Sequence, residues 1–503
     1  MYGRCSVLGA TLRGVKAVPV DVEVAVSSGL PGFSIVGMAD ASVQESRERV
    51  RAALRASGFQ MPSDKIVVNL APSSLRKTGS GLDLPIAVAL LAATGQIDPE
   101  VVKERLFVGE LSLEGFLRPV AGALAFALCA REMACSLVCT EGSEIVAVDG
   151  LEQLGLRYLG GMRNARDLPR IVPPKAQEAD FDLDFRDVAG HDVAKRALQI
   201  AAAGNHGVLM MGPPGSGKTM LASRLPSLLP PLIEPEKLET ALIHSVAGET
   251  IASILSGQRP FRKPHHSASL AGLVGGGSPI RPGEISLAHN GVLFLDELSE
   301  FKGSVLQGIR QPMETGEVRL TRADGSMSFP ARFMLVAASN PCPCGHLGDE
   351  EHECTCTLPQ IRMYQSRIGG PLMDRIDLHL DVQRIAPGEV MATGTGTSSE
   401  ALREGVLRAR EYADWRRRHD GADESQATCS NRAPSDVVKS CRLSADDAAF
   451  LESAAKTHGM SGRAIMRTLS VARTIADMGE SPEVKKAHLC EALGFRIREG
   501  VGS

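Results

Sequence analysis

Apolar and polar positions alternate with a period of two through "AVPVDVEVAVSSG" (17–29) and again through "GFSIVGM" (32–38). That spacing predicts strands with one face buried. The period then lengthens to that of a helix in "SVQESRERVRAALRASG" (42–58), with Ser42 placed to cap it and Gly58 to stop it. A strand "KIVVNLAP", a glycine turn "KTGSGLD" and a helix "LPIAVALLAATG", apolar on every side and therefore buried, complete a mixed α/β unit over residues 1–170. The proline- and acid-rich stretch 171–185 reads as a linker. Between 186 and 385 the pattern changes to short, wholly apolar strands, "HGVLMMG", "GVLFLDEL" and "FMLVAASN", set among helical segments. Such strands belong to a parallel sheet covered on both faces. Small residues mark a second linker at 386–400, and 401–503 reads as four helices. The expected fold class is α/β, with an N-terminal α/β domain, a parallel-sheet core and a helical C-terminal domain.

A chain of 503 residues is too long for one core, which agrees with that division. Net charge is −4, so any nucleic-acid contact needs a local basic patch. Aromatics make up 4% and Trp415 stands alone, against a protein that reads bases chiefly by stacking. Eleven cysteines in a chain of this length do not form a secreted disulfide scaffold. The start of the chain lacks a signal-peptide pattern and no stretch is long enough to span a bilayer, so a cytoplasmic protein with no membrane partner is expected.

The chemistry concentrates in the middle third. "GPPGSGKT" comprises Gly212, Pro213, Pro214, Gly215, Ser216, Gly217, Lys218 and Thr219, and it follows an apolar strand and opens a helix. Glycines at that spacing let backbone N–H groups surround phosphate oxygens. Lys218 would reach the β- and γ-phosphates of ATP, and Thr219 would ligate Mg²⁺. "GVLFLDEL" ends in two carboxylates, Asp296 to hold Mg²⁺ and Glu297 to polarise the attacking water. Phosphoryl transfer relies on positioning and charge neutralisation. That directs attention to Asn340, a polar group ending the third strand, and to Arg375, set between two aspartates in "GPLMDRIDLHLDV". Directly after Asn340, "NPCPCGHLGDEEHECTC" carries Cys342, Cys344, Cys354 and Cys356. Four thiolates could close this polar loop around a structural Zn²⁺. Reduced, unligated thiols and a disulfide remain open, and His346 and His352 are spare ligands. Cys129, Cys135 and Cys139 read as core residues. His265 and His266 have no carboxylate or cysteine near them in sequence, which argues against a metal there.

Taken jointly, the phosphate loop, "LFLDEL", "ASNPCPCG", "PLMDRIDLHLDV" and "SGRAIMRTLSVARTIADM" resemble the magnesium-chelatase-like AAA+ ATPases of the ComM/YifB type, over nearly the whole chain. The resemblance implies a ring, usually a hexamer, with ATP between subunits. It implies Asn340 as sensor 1, Arg375 as the arginine finger and Arg463 as sensor 2, with Arg467 one helical turn on as the rival. Val188 and Ala189 would lie near the base. It further implies pore-facing elements, a hairpin around Asp324-Gly325 and a helix-2 insertion containing Gly275, Gly276 and Gly277. Arg281, Arg319, Arg322 and Arg332 would be the DNA-backbone contacts. Residues 1–170 resemble the Lon-protease C-terminal fold, but the positions of that enzyme's serine and lysine fall on Gly81 and near Leu124. Ser80 and Lys77 are out of register, so no peptidase activity is expected.

The expected function is an ATP-driven ring motor on single-stranded or branched DNA, with helicase or branch-migration activity. A chelatase motor subunit is the first alternative; by family pattern such motors lack the Lon-like domain, which is therefore the expected discriminator. A protein-remodelling ATPase is the second; it is weakened because the pore-loop segment "SLAGLVGGGSP" has no aromatic.

Overall fold

The computed structural model describes residues 3–141, 146–173, 183–277, 280–322, 325–349, 351–368, 370–385, 388, 396–420 and 434–496. The first unit is built on a seven-stranded mixed sheet. Its strands run in the order Gly32–Val36, Lys65–Ala71, Lys16–Ser27, Gly3–Arg13, Arg105–Phe107, Ser136–Cys139 and Gln153–Gly155. Gly3–Arg13 pairs antiparallel with Lys16–Ser27 along its whole length and puts Val7 and Ala10 into the core. Helix Asp83–Ala93 is buried from Asp83 through Ala92, as its unbroken apolar run requires. Asp83 is accommodated there because Arg49 Nε donates to it at 2.6 Å and Leu111 N at 3.1 Å. The helix Ala41–Ala56 starts one residue before Ser42. Its cap is Asp40, whose carboxylate accepts from Val43 N at 2.9 Å, and Gly58 follows the C-cap with a left-handed φ of +73°. Cys129 and Cys139 lie in the core, and Cys135 is half-buried.

The second unit holds an all-parallel five-stranded sheet in the order Phe261–Arg262, Val292–Leu295, Met334–Ser339, Val208–Met211 and Leu378–Asp381. Every residue of the 208–211, 292–295 and 334–339 strands is buried, which explains why their sequences show no alternation. Between the first two strands of that order run a short helix Leu270–Val274 and a two-residue ladder, Gly275–Gly276 against Arg281–Pro282. The expected hairpin is present, Glu317–Arg322 against Gly325–Pro330; Asp324 lies outside the described residues, as do 174–182 and all of 386–395 but 388.

The C-terminal helices Ser399–His419, Pro434–Cys441, Ala445–Thr457, Gly462–Met478 and Lys486–Gly494 share one apolar core with the covering helix Asp192–Gly204 and the parallel sheet. The first unit docks on helix Glu234–Ala247: Gly122 N donates to Ser245 O at 2.7 Å, and Leu124 N to Ser245 Oγ at 3.2 Å. Leu124, Leu232, Ala241 and Ile254 close a small apolar cluster across the joint. Among the described residues no helix is long and apolar enough to cross a membrane.

Candidate functional site

The phosphate loop leaves the C-terminal end of strand Val208–Met211 and turns into helix Lys218–Arg224. Glycine is required at two of its positions for different reasons. A Cβ on Gly212 would stand 2.0 Å from Val382 O, and Gly217 holds a left-handed φ of +84° at the helix start. Lys218 is buried, and its Nζ donates to Gly212 O and Pro213 O at 2.8 Å and to Ser216 Oγ at 3.3 Å. Burial pushes the ammonium below its ordinary pKa, against the pull of Asp296. Thr219 Oγ1 donates to Asp296 Oδ2 at 2.9 Å. A hydroxyl and a carboxylate in that contact, beside a loop rich in N–H groups, fit a Mg²⁺–nucleotide pair.

Val188 is fully buried and its carbonyl accepts from Lys195 Nζ at 2.6 Å. The segment leading from it reaches the loop, since a Cβ on Gly217 would meet His191 Nε2 at 3.3 Å. Asn340 follows Ser339, whose strand partner is Met211, so it stands beside the loop's start. Glu297 takes a left-handed backbone (φ +53°) directly after Asp296. That conformation is uncommon for a non-glycine residue and concentrates at functional sites.

Two contacts here were not read from the sequence. Lys263 Nζ lies 2.8 Å from Asp296 Oδ2, and His266 Nδ1 lies 3.4 Å from Glu297 Oε2 with the His265 ring against it. A carboxylate therefore does stand beside the histidine pair. It is brought there by the pairing of Phe261–Arg262 with Val292–Leu293, thirty-one residues on in sequence.

The arginines gather at the other edge of the sheet. Arg375 precedes Leu378, which pairs with Val208 at the N-terminal end of the loop strand. Its guanidinium donates to Glu314 Oε1, through Nε at 3.0 Å. Arg463 Nη2 stands 3.8 Å from the same oxygen and is mostly exposed. Arg467 instead pairs at 2.9 Å with Asp377, a buried carboxylate that also meets His206 Nδ1 at 3.3 Å and Gly207 N at 3.0 Å. Burial alone would raise the Asp377 pKa, but the hydrogen bond and charge of His206, with Arg467 and the Gly207 N–H, hold it below the ordinary carboxylate value. Neither Arg375 nor Arg463 is brought to the phosphate loop of its own chain.

Of the predicted backbone contacts, Arg319 is ion-paired to Glu317 and Arg332 to Glu239, so both are engaged within the fold. Arg281 is exposed at the insertion ladder, and the Arg322 side chain lies outside the described residues. Lys77 Nζ is buried against Leu70 O at 2.7 Å, whereas Ser80 Oγ donates to Glu110. The two do not form a dyad, and Leu124, at the lysine position of the resembled protease, is sealed in the joint between units.

The four cysteine sulfurs converge behind Asn340. Cys342 and Cys344 are 3.4 Å apart, Cys342 and Cys354 3.7 Å, and Cys344 and Cys354 3.6 Å, while Cys356 Sγ accepts from Cys344 N at 3.4 Å. A tetrahedral site with Zn–S bonds of about 2.3 Å has sulfur edges of about 3.8 Å. The cluster fits that geometry, and the spacing is wide for a disulfide, which needs about 2.05 Å. The backbone N–H of His346 donates to Cys344 and helps bring its thiol down to about 5, whereas, against a backbone N–H of Cys356, burial and the neighbouring sulfurs push Cys354 up to about 12, and they raise Cys356 as well.

A parallel sheet carrying a phosphate loop, a Thr219–Asp296 contact and an adjoining glutamate defines a P-loop nucleoside triphosphatase with a helical C-terminal domain. Residues 184–390 match the family described as "Magnesium chelatase, subunit ChlI", 396–496 its C-terminal family, and 22–141 the family "Subunit ChlI of Mg-chelatase". The chain is 42% identical over 511 residues to the competence protein ComM of Haemophilus influenzae, covering 99% of this chain and 97% of that one. It is 42% identical over 490 residues to YifB of Escherichia coli, covering 96% and 95%. A magnesium-chelatase 67 kDa subunit of Chlorobaculum parvum matches at 34% over 164 residues, 31% of this chain and 23% of that one. The chain belongs to the magnesium-chelatase-like AAA+ ATPases, in the ComM/YifB branch. Because 22–141 also match a family described by the chelatase subunit, the N-terminal unit does not separate the two readings as expected.

Proposed function

We propose that this chain is an ATP-hydrolysing ring motor acting on DNA, with each nucleotide held between two copies. The observation that carries the reading is the division of the site between opposite edges of one sheet. The phosphate loop, Asp296 and Glu297 lie at the C-terminal edge, and Arg375 and Arg463 meet at Glu314 on the N-terminal edge. A closed head-to-tail ring, a hexamer by resemblance, brings the two edges of neighbouring copies together. Mg²⁺ would be held by Thr219 and Asp296 and would neutralise charge on the β- and γ-phosphates. Lys218 would exchange its loop carbonyls for phosphate oxygens. Glu297 would orient and deprotonate water, Asn340 would hold that water or the γ-phosphate, and Val188 and Ala189 would border the base. Arg375 would leave Glu314 for the neighbour's γ-phosphate, with Arg463 beside it. Arg467 is committed to Asp377, which favours Arg463 over its rival.

Zinc on Cys342, Cys344, Cys354 and Cys356 would fix the segment that follows Asn340. The near full-length likeness to a protein named for competence supports action on DNA in recombination or transformation. The chelatase-subunit family descriptions support a second reading, a motor subunit for metal insertion, but the shorter match to a chelatase subunit ranks it below. Steady-state ATPase rates with and without single-stranded, duplex and forked DNA test the proposal. Stimulation and DNA binding that weakens steeply with salt are expected. Turnover indifferent to every DNA form, with no salt-sensitive binding, would remove the DNA motor.

A further inference from the structure

A cavity of about 400 Å³ opens where the first unit meets the two insertions of the second. Three guanidinium groups line it, each from a different part of the fold. Arg13 ends the first strand, Arg76 comes from the loop after strand Lys65–Ala71, and Arg281 from the insertion ladder. The glycine turn that holds the nucleophile in the resembled protease forms another wall, with Ser74, Thr78 and Ser80 adding hydroxyls. Among the described residues the one carboxylate in the lining, Glu110, accepts from Ser80 and stands 3.9 Å from Arg118, so it is already compensated. Among the described residues, neither Arg13 nor Arg281 has an ion-pair partner. The hairpin supplies Met327, and a Cβ on Gly14 would lie 3.8 Å from Ser328 O, so the N-terminal turn and the hairpin adjoin. The cavity exists only because the two units are docked through Ser245.

Three cations converging with hydroxyls and only one, compensated, carboxylate form a site for phosphate oxygens. Among the described residues Phe126 is the lone aromatic in the lining, and it is buried, so they offer no platform for stacked bases. We propose that this cavity binds the phosphodiester backbone of single-stranded nucleic acid, making the N-terminal unit a wall of the path that the insertions line. The inference rests on the DNA reading above and assigns the unit a role that reading leaves open. Contacts of this kind position the strand without reading its sequence.

The test uses the full-length protein and a fluorescent oligo-dT, with anisotropy measured over a range of salt. Replacing Arg13, Arg76 and Arg281 together by Ala should weaken binding by roughly tenfold or more and flatten the slope of log K against log salt by about two, near 0.7 for each lost phosphate contact. The corresponding Lys variants should keep the slope. Thermal melting reports whether each variant folds. For variants that do not, a photoreactive oligonucleotide crosslinked to the unmodified protein should map to peptides containing Arg13, Arg76 or Arg281. dTMP should compete far more weakly than the oligonucleotide; equal competition per phosphate would mean a site for small phosphates and overturn the proposal. An unchanged slope in the folded Ala variant, or crosslinks only elsewhere, overturns it while the DNA motor stands. Absence of any binding by the wild type overturns both.

Discussion

Arg375→Ala distinguishes a guanidinium that serves the neighbouring copy from one that serves its own. In one chain, Arg375 sits at the edge where strands Val208–Met211 and Leu378–Asp381 begin, and the phosphate loop leaves where the former ends. Four strand residues at about 3.3 Å each separate the edges by roughly 13 Å. The substitution removes the pair with Glu314 and truncates an arginine side chain that is only 12% exposed, so a cost to stability of about 1 to 3 kcal/mol is expected. The variant should fold and bind nucleotide. Its kcat should fall by roughly 10³-fold or more, the lower range for an arginine finger, which is about 4 kcal/mol of transition-state stabilisation. Glu297→Gln should likewise bind nucleotide and assemble without turnover. Coupled-assay ATPase rates on mixtures then decide the matter. A working interface needs Glu297 from one copy and Arg375 from the next, and in an equal mixture of the two variants roughly one quarter of the interfaces in a ring have both. Recovery toward that fraction is expected. No recovery at any ratio, with mixed assemblies verified by native mass spectrometry, would refute action in trans, and so would wild-type turnover by Arg375→Ala alone.

Protein purified without a metal-binding tag should contain one zinc per chain by elemental analysis, and Cys344→Ser should lose it; no zinc, with four freely titrating thiols, would leave the cluster unligated. A fluorogenic peptide should not be turned over, because Ser80 is tied to Glu110 and Lys77 to backbone carbonyls; turnover abolished by Ser80→Ala would contradict this. Asp377→Ala leaves His206, the Gly207 N–H and Arg467 without their buried partner and should cost about 3 kcal/mol or more in urea unfolding. The Asp377 carboxyl titrates below its ordinary value when folded, so its contribution is present above about pH 4 and is lost as pH falls through the depressed folded value. The difference in stability between wild type and Asp377→Asn should therefore hold steady near neutrality and shrink in acid; a difference that grows below about pH 4 would reverse the assigned sign.

What could be read from the sequence was local. The loop 212–219 declares itself by glycine spacing and by the strand before it, and Asp296 and Glu297 by an apolar run ending in carboxylates. The helix Gly462–Met478 and the hairpin 317–330 were legible for the same reason, since each pattern lies within one element. The first strand, Gly3–Arg13, was not read as one, because Gly3, Arg4, Ser6 and Gly9 interrupt its alternation; its partner Lys16–Ser27 supplies the order. The Asp40 cap was missed for Ser42 because both residue types cap well and only the backbone distinguishes them. Lys263 and His266 were illegible because a strand two residues long carries no periodicity, yet its register against Val292–Leu293 delivers both side chains to the acidic pair.

Glu314 and Asp377 illustrate the limit more sharply. Nothing in the spacing of "PMETGE" or "DRIDLHL" separates a solvated carboxylate from one that organises arginines from two other elements. Their partners arrive from 61 to 171 residues away, through the sheet order and the docking of the C-terminal helices. Asp377 lies two residues from Arg375 and binds His206, just before the loop strand, while His206 Nε2 meets Thr474 Oγ1 at 2.8 Å on helix Gly462–Met478. One buried carboxylate therefore ties the segment bearing Arg375 to the start of the strand whose other end becomes the phosphate loop, and both to the helical domain. A displacement of that helix must either carry Arg375 with it or break the Asp377 contacts. In a ring built edge to edge as proposed, those contacts would join one copy's phosphate-loop strand to the arginine it would present to the next.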